Sequence, residues 1–293
     1  MADNTTALET VITARDRDLG GLMVRRVLPF RERRTVGPFI FLDQFGPLAL
    51  LDGRSLEIAP HPHIGLATVT YLFSGKMMHR DSLGSTQIIQ PGDVNWMTAG
   101  RGIVHAERTS QAANPPGALL SGVQTWVALP QAYEETDPAF AHHGVAELPE
   151  LTGDGLQVKV ILGKVFGRRS PVATLGEPAY ADCQLQTGAR LEVPTTEMEE
   201  CAVCVVSGSV LIEGQAFTPG MLAAFKPGAQ GTVTATEPAR VMLLGGTRLD
   251  GPRHIWWNFV SSSKDRIEAA KDDWRNGKFA AVPGETEFIP LPN

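Results

Sequence analysis

Seven histidines serve a chain of 293 residues, and three of them fall in two short stretches, APHPHIGLATV at 59–69 and GRGIVHAERT at 100–109. His61 and His63 are two apart, and His105 stands two before Glu107. On an extended strand residues i and i+2 share a face, so each pair projects its side chains in one direction. If neighbouring strands of a β-barrel carry both pairs, three imidazoles and one carboxylate converge and can close around a divalent metal. Imidazole plus carboxylate, with no thiolate, suits Fe(II), Mn, Ni, Cu or Zn. A lone H-x-H says little, because a single histidine is more often a satisfied core or surface residue. An H-x-H and an H-x-E on strands of one shell are much harder to obtain by accident.

The elements that must position these residues read as β. ATVTYLF (67–73), DVNWMT (93–98), GVQTWVAL (122–129), LQVKVIL (156–162), CAVCVV (201–206) and ARVMLLGG (239–246) are rich in Val, Thr and aromatics. Ser-Gly and Pro-Gly turns bound them, the pattern of a sandwich or barrel. The one helix is predicted over 261–278: Ser262 or Ser263 supplies the N-cap, Ile267, Ala270 and Trp274 recur at helical spacing, and Gly277 ends it.

The segments 71–107 and 204–237 repeat one plan: strand, Ser-Gly turn, strand, Pro-Gly turn, strand, Gly-containing turn, strand. Two β-shells are therefore expected, 1–134 and 145–293, joined by QAYEETDPAFAHHG (131–144), which reads as surface loop. Aligning Pro91-Gly92 with Pro219-Gly220 sets Val233 where His105 stands. One shell carries the histidines and the other keeps the scaffold without them.

Bulk properties exclude several classes. A net charge of −6 gives no basic footprint for direct nucleic-acid binding. The short basic run at Arg25–Arg26 and Arg31–Arg34 reads as a solvated face. No apolar stretch reaches the 18 residues of a membrane span, and MADNTTALETVITARDRD lacks the plan of a secretory leader. Three cysteines fit a reducing compartment, so a cytoplasmic protein is expected. Cys201 and Cys204 form C-x-x-C on a predicted buried strand, where positions three apart face opposite ways, which argues against a redox or zinc role.

The stretches HPHIG (61–65), TVTYL (68–72), HRDSLG (79–84) and PGDVNWMTAGRGIVHAE (91–107), with GPFIFLDQFGP (37–47) upstream, resemble the pirin family. RHIWWNFVSSSKDRIEAAKDDW (253–274) resembles the tail of a bacterial subgroup. The resemblance implies an all-β bicupin, two tandem jelly-roll barrels with a C-terminal helix. It also implies Fe(II) as the usual metal of the N-terminal cupin, held by His61, His63, His105 and Glu107. Where many relatives read H-P-H-R-G-F-E, this chain has Ile64, Leu66 and Ala67 in place of Arg, Phe and Glu, and Ala67 removes a carboxylate expected near the site.

Two functions follow from the resemblance. One is a quercetin 2,3-dioxygenase-type enzyme that opens a small aromatic, flavonol-like substrate with O2, Glu107 serving as general base. The other is a non-catalytic, iron-dependent regulator that binds a protein partner. No distinctive charged or apolar stripe marks a partner surface, which favours the enzyme. Trp96, Met97 and Phe73 are candidates to line its pocket. His79 is expected at the surface or hydrogen-bonded behind the ligands, with Asp81 and Arg101 undecided. His142, His143 and His254 are left out of the site. Two shells are already paired within one chain, so a monomer is expected.

Overall fold

The computed structural model describes residues 6–19, 22–50, 57–109 and 113–292. Residues 1–5 of the segment read for a leader lie outside them. Two compact units result, Met1–Asp18 with Val24–Gln44 and Ala146–Arg248, and Leu19–Met23 with Phe45–Val145 and Leu249–Asn293. This grouping differs from a cut between 134 and 145 at both chain ends, for two physical reasons. Leu8–Thr13 hydrogen-bonds antiparallel to Met221–Phe225, with Ile12 opposite Leu222, so the N-terminal strand completes a sheet of the Ala146–Arg248 unit. The C-terminal helix packs in the histidine-bearing unit instead, where Ile267 and Ala270 bury against Ile64 and Phe259.

In the histidine unit the strands that build and flank the site are β1 (Glu57–His63), β2 (Leu66–Ser74), β3 (Met77–Asp81), β4 (Thr86–Ile89), β5 (Val94–Thr98), β6 (Ile103–Arg108), β7 (Leu119–Ala128) and β8 (Ala139–His143). One sheet runs β1-β6-β3-β4, and within the other β8, β5, β2 and β7 lie side by side. The expected surface loop at 131–144 is thus partly a strand: after one 3-10 turn at Gln131–Tyr133, β8 pairs with β5, Phe140 opposite Met97 and His142 opposite Asn95. Acidic and proline residues masked the alternation of Ala139–His143.

β1 sits at the edge of its sheet, and that explains APHPH. Pro60 and Pro62 cannot donate to a ladder and are tolerated at an edge, while the alternation sends His61 and His63 to one face. The register between β1 and β6 slips after His105, whose partner is His61, so that Glu107 meets Ile58. Gly65 turns the chain straight after His63. Its φ is +67°, and a Cβ there would lie 1.9 Å from the Val260 carbonyl oxygen, so only glycine fits.

The helix α1 (Lys264–Arg275) starts at Ser263, whose side chain accepts from the Arg266 N–H, and Gly277 follows its end at φ +65°. Its docking is held by a buried polar clasp: the Glu134 carboxylate accepts from the Ser261 and Ser262 hydroxyls and the Ser262 N–H at 2.9–3.1 Å, and Arg253 Nε lies 2.7 Å away. Fully burying a side chain such as Phe259 or Ile64 contributes roughly 1.5–3 kcal/mol.

The second unit faces a sheet containing Pro178–Leu185, Glu200–Ser207, Met221–Phe225 and Ala239–Gly246 against a four-stranded one of Arg190–Val193, Gly231–Ala235, Val210–Ile212 and Gln215–Phe217. Apolar side chains fill it, among them Leu191, Val193, Val210, Ile212, Val233 and Ala235. All three cysteines are free and buried, and burial pushes the Cys201 and Cys204 thiols up to about 12. Burial of this kind disfavours the thiolate that metal binding and disulfide exchange require. Among the described residues no helix is long and apolar enough to cross a membrane.

Candidate metal centre

The two sequence pairs meet as the spacing requires. His61 and His63 from β1 and His105 from β6 bring ring nitrogens within 4.8 Å of one another, and all three residues are buried. The Nε2 atoms of His63 and His105 are 3.1 Å apart. Burial pushes the His61 pKa down to about 4 and holds His63 and His105 well below the usual imidazole range, the neighbouring histidines adding to it. The rings are therefore neutral at neutral pH, the form that donates a lone pair to a metal. His61 presents Nδ1 to the Ala59 carbonyl at 2.9 Å. The N–H must be there, which turns the Nε2 lone pair towards the cluster.

This donor set fits a divalent cation. Three neutral nitrogens crowded in a dry pocket gain little from each other, and at least one must turn a lone pair on its neighbour. A cation relieves that arrangement. The tight cluster among the described residues consists of the three imidazoles alone, with the Glu107 carboxylate outside it. Glu107 is buried two residues along the same face, its Oε1 accepts from Thr70 Oγ1 at 3.2 Å, and burial raises its pKa.

The wall opposite comes from the β8-β5-β2-β7 sheet. Register pairs Thr68 with Met97 and Trp126, and Thr70 with Asn95 and Gln124. Paired residues share a face, and Thr70 touches Glu107 while Trp126 meets the His63 ring edge-on at 5.3 Å. Met97 is thus on the site side. Trp96 and Phe73 are not: Trp96 pairs with Val69, and Phe73 stacks edge-on with Tyr71, both on the alternate face. Ala67 belongs to that alternate face too, opposite Thr98 and Val127, so its missing carboxylate does not change the polarity around the histidines. Ile64 is fully buried against Phe259 rather than lining the site.

Sequence reasoning missed two contributors. Trp126 and Phe140 lie on strands whose facing could not be assigned without the register. His79, expected at the surface or behind the ligands, is buried, with its ring flat on Phe140 at 4.3 Å and its Nδ1 3.4 Å from His105 Nδ1. Arg101 is exposed and pairs with Asp137.

The two-sheet shell is a cupin-type scaffold whose three-histidine cluster suits a divalent metal, and comparison with known proteins agrees on the fold. A family model described as pirin matches residues 21–127, and one described as the pirin C-terminal cupin domain matches 180–280. The chain belongs to the pirin family. A pirin-like protein of Caulobacter vibrioides is 47% identical over 97% of this chain and 99% of its own. Human pirin is 33% identical over 88% of each. The crystal structure of a quercetin 2,3-dioxygenase from Acinetobacter baumannii superposes with a TM-score of 0.90 at 31% identity, over 97% of this chain and 95% of that one.

Proposed function

We propose that this chain is a metal-dependent dioxygenase of the quercetin 2,3-dioxygenase type, with His61, His63, His105 and Glu107 as ligands of an Fe(II) and a flavonol-like aromatic as substrate. The observation that carries this reading is the buried cluster of three neutral imidazoles. The similarity to the Acinetobacter enzyme supports the choice of substrate. A bound divalent metal would supply Lewis acidity towards an acidic hydroxyl and, as iron, access to dioxygen chemistry.

The chain's own residues contribute the rest. Glu107 is the proton acceptor: its raised pKa makes it a stronger base than an exposed carboxylate. Thr70 engages Oε1, which orients the carboxylate to take up the proton of the substrate hydroxyl. Met97 and Trp126 supply apolar surface for a planar ring system, and Thr68, Asn95 and Gln124 supply polar atoms to orient its oxygens. Burial of the site excludes bulk water, which strengthens each of these contacts.

Anaerobic loading with Fe(II), addition of quercetin and then admission of O2 tests this directly. The flavonol absorbance bleaches with turnover, and Glu107→Gln slows it by two orders of magnitude or more, roughly the contribution of a positioned base. Bleaching no faster than in metal-free protein rejects the enzyme reading and favours an iron-dependent regulator in the same cytoplasmic setting.

A further inference from the structure

The strand that carries His61 and His63 holds an irregularity, and the C-terminal tail is fastened to it. On β1 three steps lead from Ile58 to His61, while the residues facing them on β6, Glu107 and His105, are two steps apart. One extra residue therefore sits at Ala59 and Pro60, a bulge beside the first histidine of the cluster. Both carbonyls of the bulge have specific partners. The Ala59 oxygen accepts from His61 Nδ1 at 2.9 Å, and the Pro60 oxygen accepts from the backbone N–H of Ile289 at 2.8 Å. One bond orients the His61 ring, and the next carbonyl along ties the same piece of backbone to the tail.

A second fastening lies on the other side of the bulge. Alternation sends His105 and Glu107 inward and Arg108 outward. Arg108 reaches Glu57, its own ladder partner, at 2.7 Å, and holds the tail's Glu285 through two bonds of 2.5 and 3.2 Å. Glu285 is aimed by local sequence. Val282-Pro283-Gly284-Glu285 closes a β-turn, its Glu285 N–H on the Val282 carbonyl at 3.2 Å, with Gly284 at φ +80°. Proline second and glycine third is the pattern of a type II turn. Val282 is buried, Phe279 stacks on Phe259 at 6.1 Å, and Trp274 Nε1 donates to the Ile289 carbonyl at 3.0 Å. Both backbone groups of Ile289 are thus held.

Between these anchors Ala281, Pro283, Thr286, Glu287 and Phe288 are exposed. A segment pinned at so few points opens at a lower free energy than the sheet beneath it. A metal site is less forgiving, since its side chains must stay within about 0.5 Å of the productive geometry. We infer that residues 278–292 form a strap that locks the β1 bulge, and with it His61, in place, so that docking of the strap and filling of the cluster are coupled. Glu285 and Ile289 are its positioning residues, acting through Arg108 and Pro60. The coupling rests on the metal reading; the locking of β1 does not. Coupling between two sites is reciprocal, so whatever the docked strap adds to metal affinity, the metal returns to the strap.

Amide hydrogen exchange of the full chain, metal-free and with Co(II), tests this together with Co(II) affinity by chelator competition. In metal-free Glu285→Ala and Ile289→Pro, the amides of Ile58, Ala59 and His61 exchange faster than in the wild type, while those of β2 keep their rates. Both variants bind Co(II) roughly 5–150-fold more weakly, the usual span of such coupling. In the wild type Co(II) slows exchange of the Ile289 amide by the matching factor, which a tail that merely packs would not show. Glu285→Gln, which keeps the side chain's size, repeats the effect should either variant fail to fold. Unchanged exchange in β1 overturns the inference whatever Co(II) does. Faster β1 exchange with undiminished Co(II) affinity overturns the coupling. Faster β1 exchange in a protein whose wild type takes up no Co(II) leaves the lock standing and sinks the metal reading.

Discussion

His63 and His105 face each other nitrogen to nitrogen, Nε2 to Nε2, at 3.1 Å in a buried pocket, 42 residues apart in the chain. His61 closes the triangle from the residue directly opposite His105 in the ladder. Three neutral imidazoles in this arrangement are poised for a cation, and the consequences are measurable.

Acid should destabilise the metal-free protein. An imidazole whose folded pKa lies below its unfolded value binds more protons when unfolded, so stability is complete above pH 6.5 and falls as the pH drops from there. For His61, lowered to about 4, the full loss is roughly 3 kcal/mol. His63 and His105 act in the same direction. Glu107, raised by burial, holds a proton longer when folded and opposes them as one group against three. Thermal melts in chelator between pH 7 and 4.5 should show Tm falling steeply, and His61→Leu should flatten the curve.

Metal should oppose that loss. A ligand that binds only the folded chain stabilises it by about 2.7 kcal/mol at a hundred times its Kd. Added Fe(II) or Co(II) should raise the Tm of the wild type, and His63→Ala should abolish the rise while still folding.

Ile64 explains one departure from its relatives in physical terms. Its side chain is fully buried against Phe259 beneath the C-terminal helix. Ile64→Val should cost roughly 0.5–1.5 kcal/mol. Ile64→Arg places an unpaired charge there and should cost several kcal/mol. Urea unfolding compares the two, and equal midpoints would contradict this packing.

The clasp at Glu134 predicts a cooperative loss. Glu134→Ala leaves the Arg253 guanidinium, whose side chain is only 1% exposed, with Asp250 as its remaining carboxylate partner, and leaves the Ser262 N–H without its acceptor. An unsatisfied buried donor costs roughly 1–3 kcal/mol. Hydrogen exchange should quicken across Lys264–Arg275 well before it does in β6.

The parts of this site legible in the sequence are those that depend on alternation alone. The i, i+2 spacing of His61 with His63 and of His105 with Glu107 needs only the strand period. Equally, the helix announced itself by Ser263, Ile267, Ala270 and Gly277. What stayed hidden depends on pairing between distant strands. Phe140 sits in an acidic, proline-bearing stretch whose neighbour, Met97, is 43 residues away, and its partner His79 could be faced only once β3 was set beside β6. Trp96 and Ala67 were placed near the site because they adjoin its motifs in sequence, yet alternation puts them on the other face. The exchange of chain ends between units was invisible for the same reason: nothing local tells Leu8–Thr13 that its partner is Met221–Phe225.

The central claim is that His61, His63 and His105 hold a metal, and metal content per chain tests it most directly. After anaerobic Fe(II) loading and desalting, elemental analysis should find about one ion per wild-type chain, as one cluster of neutral imidazoles requires. The double variant His61→Ala with His105→Ala should retain almost none while keeping its β-sheet circular dichroism. A wild-type chain that leaves the column empty, or a folded double variant that keeps its full share of iron, contradicts the account.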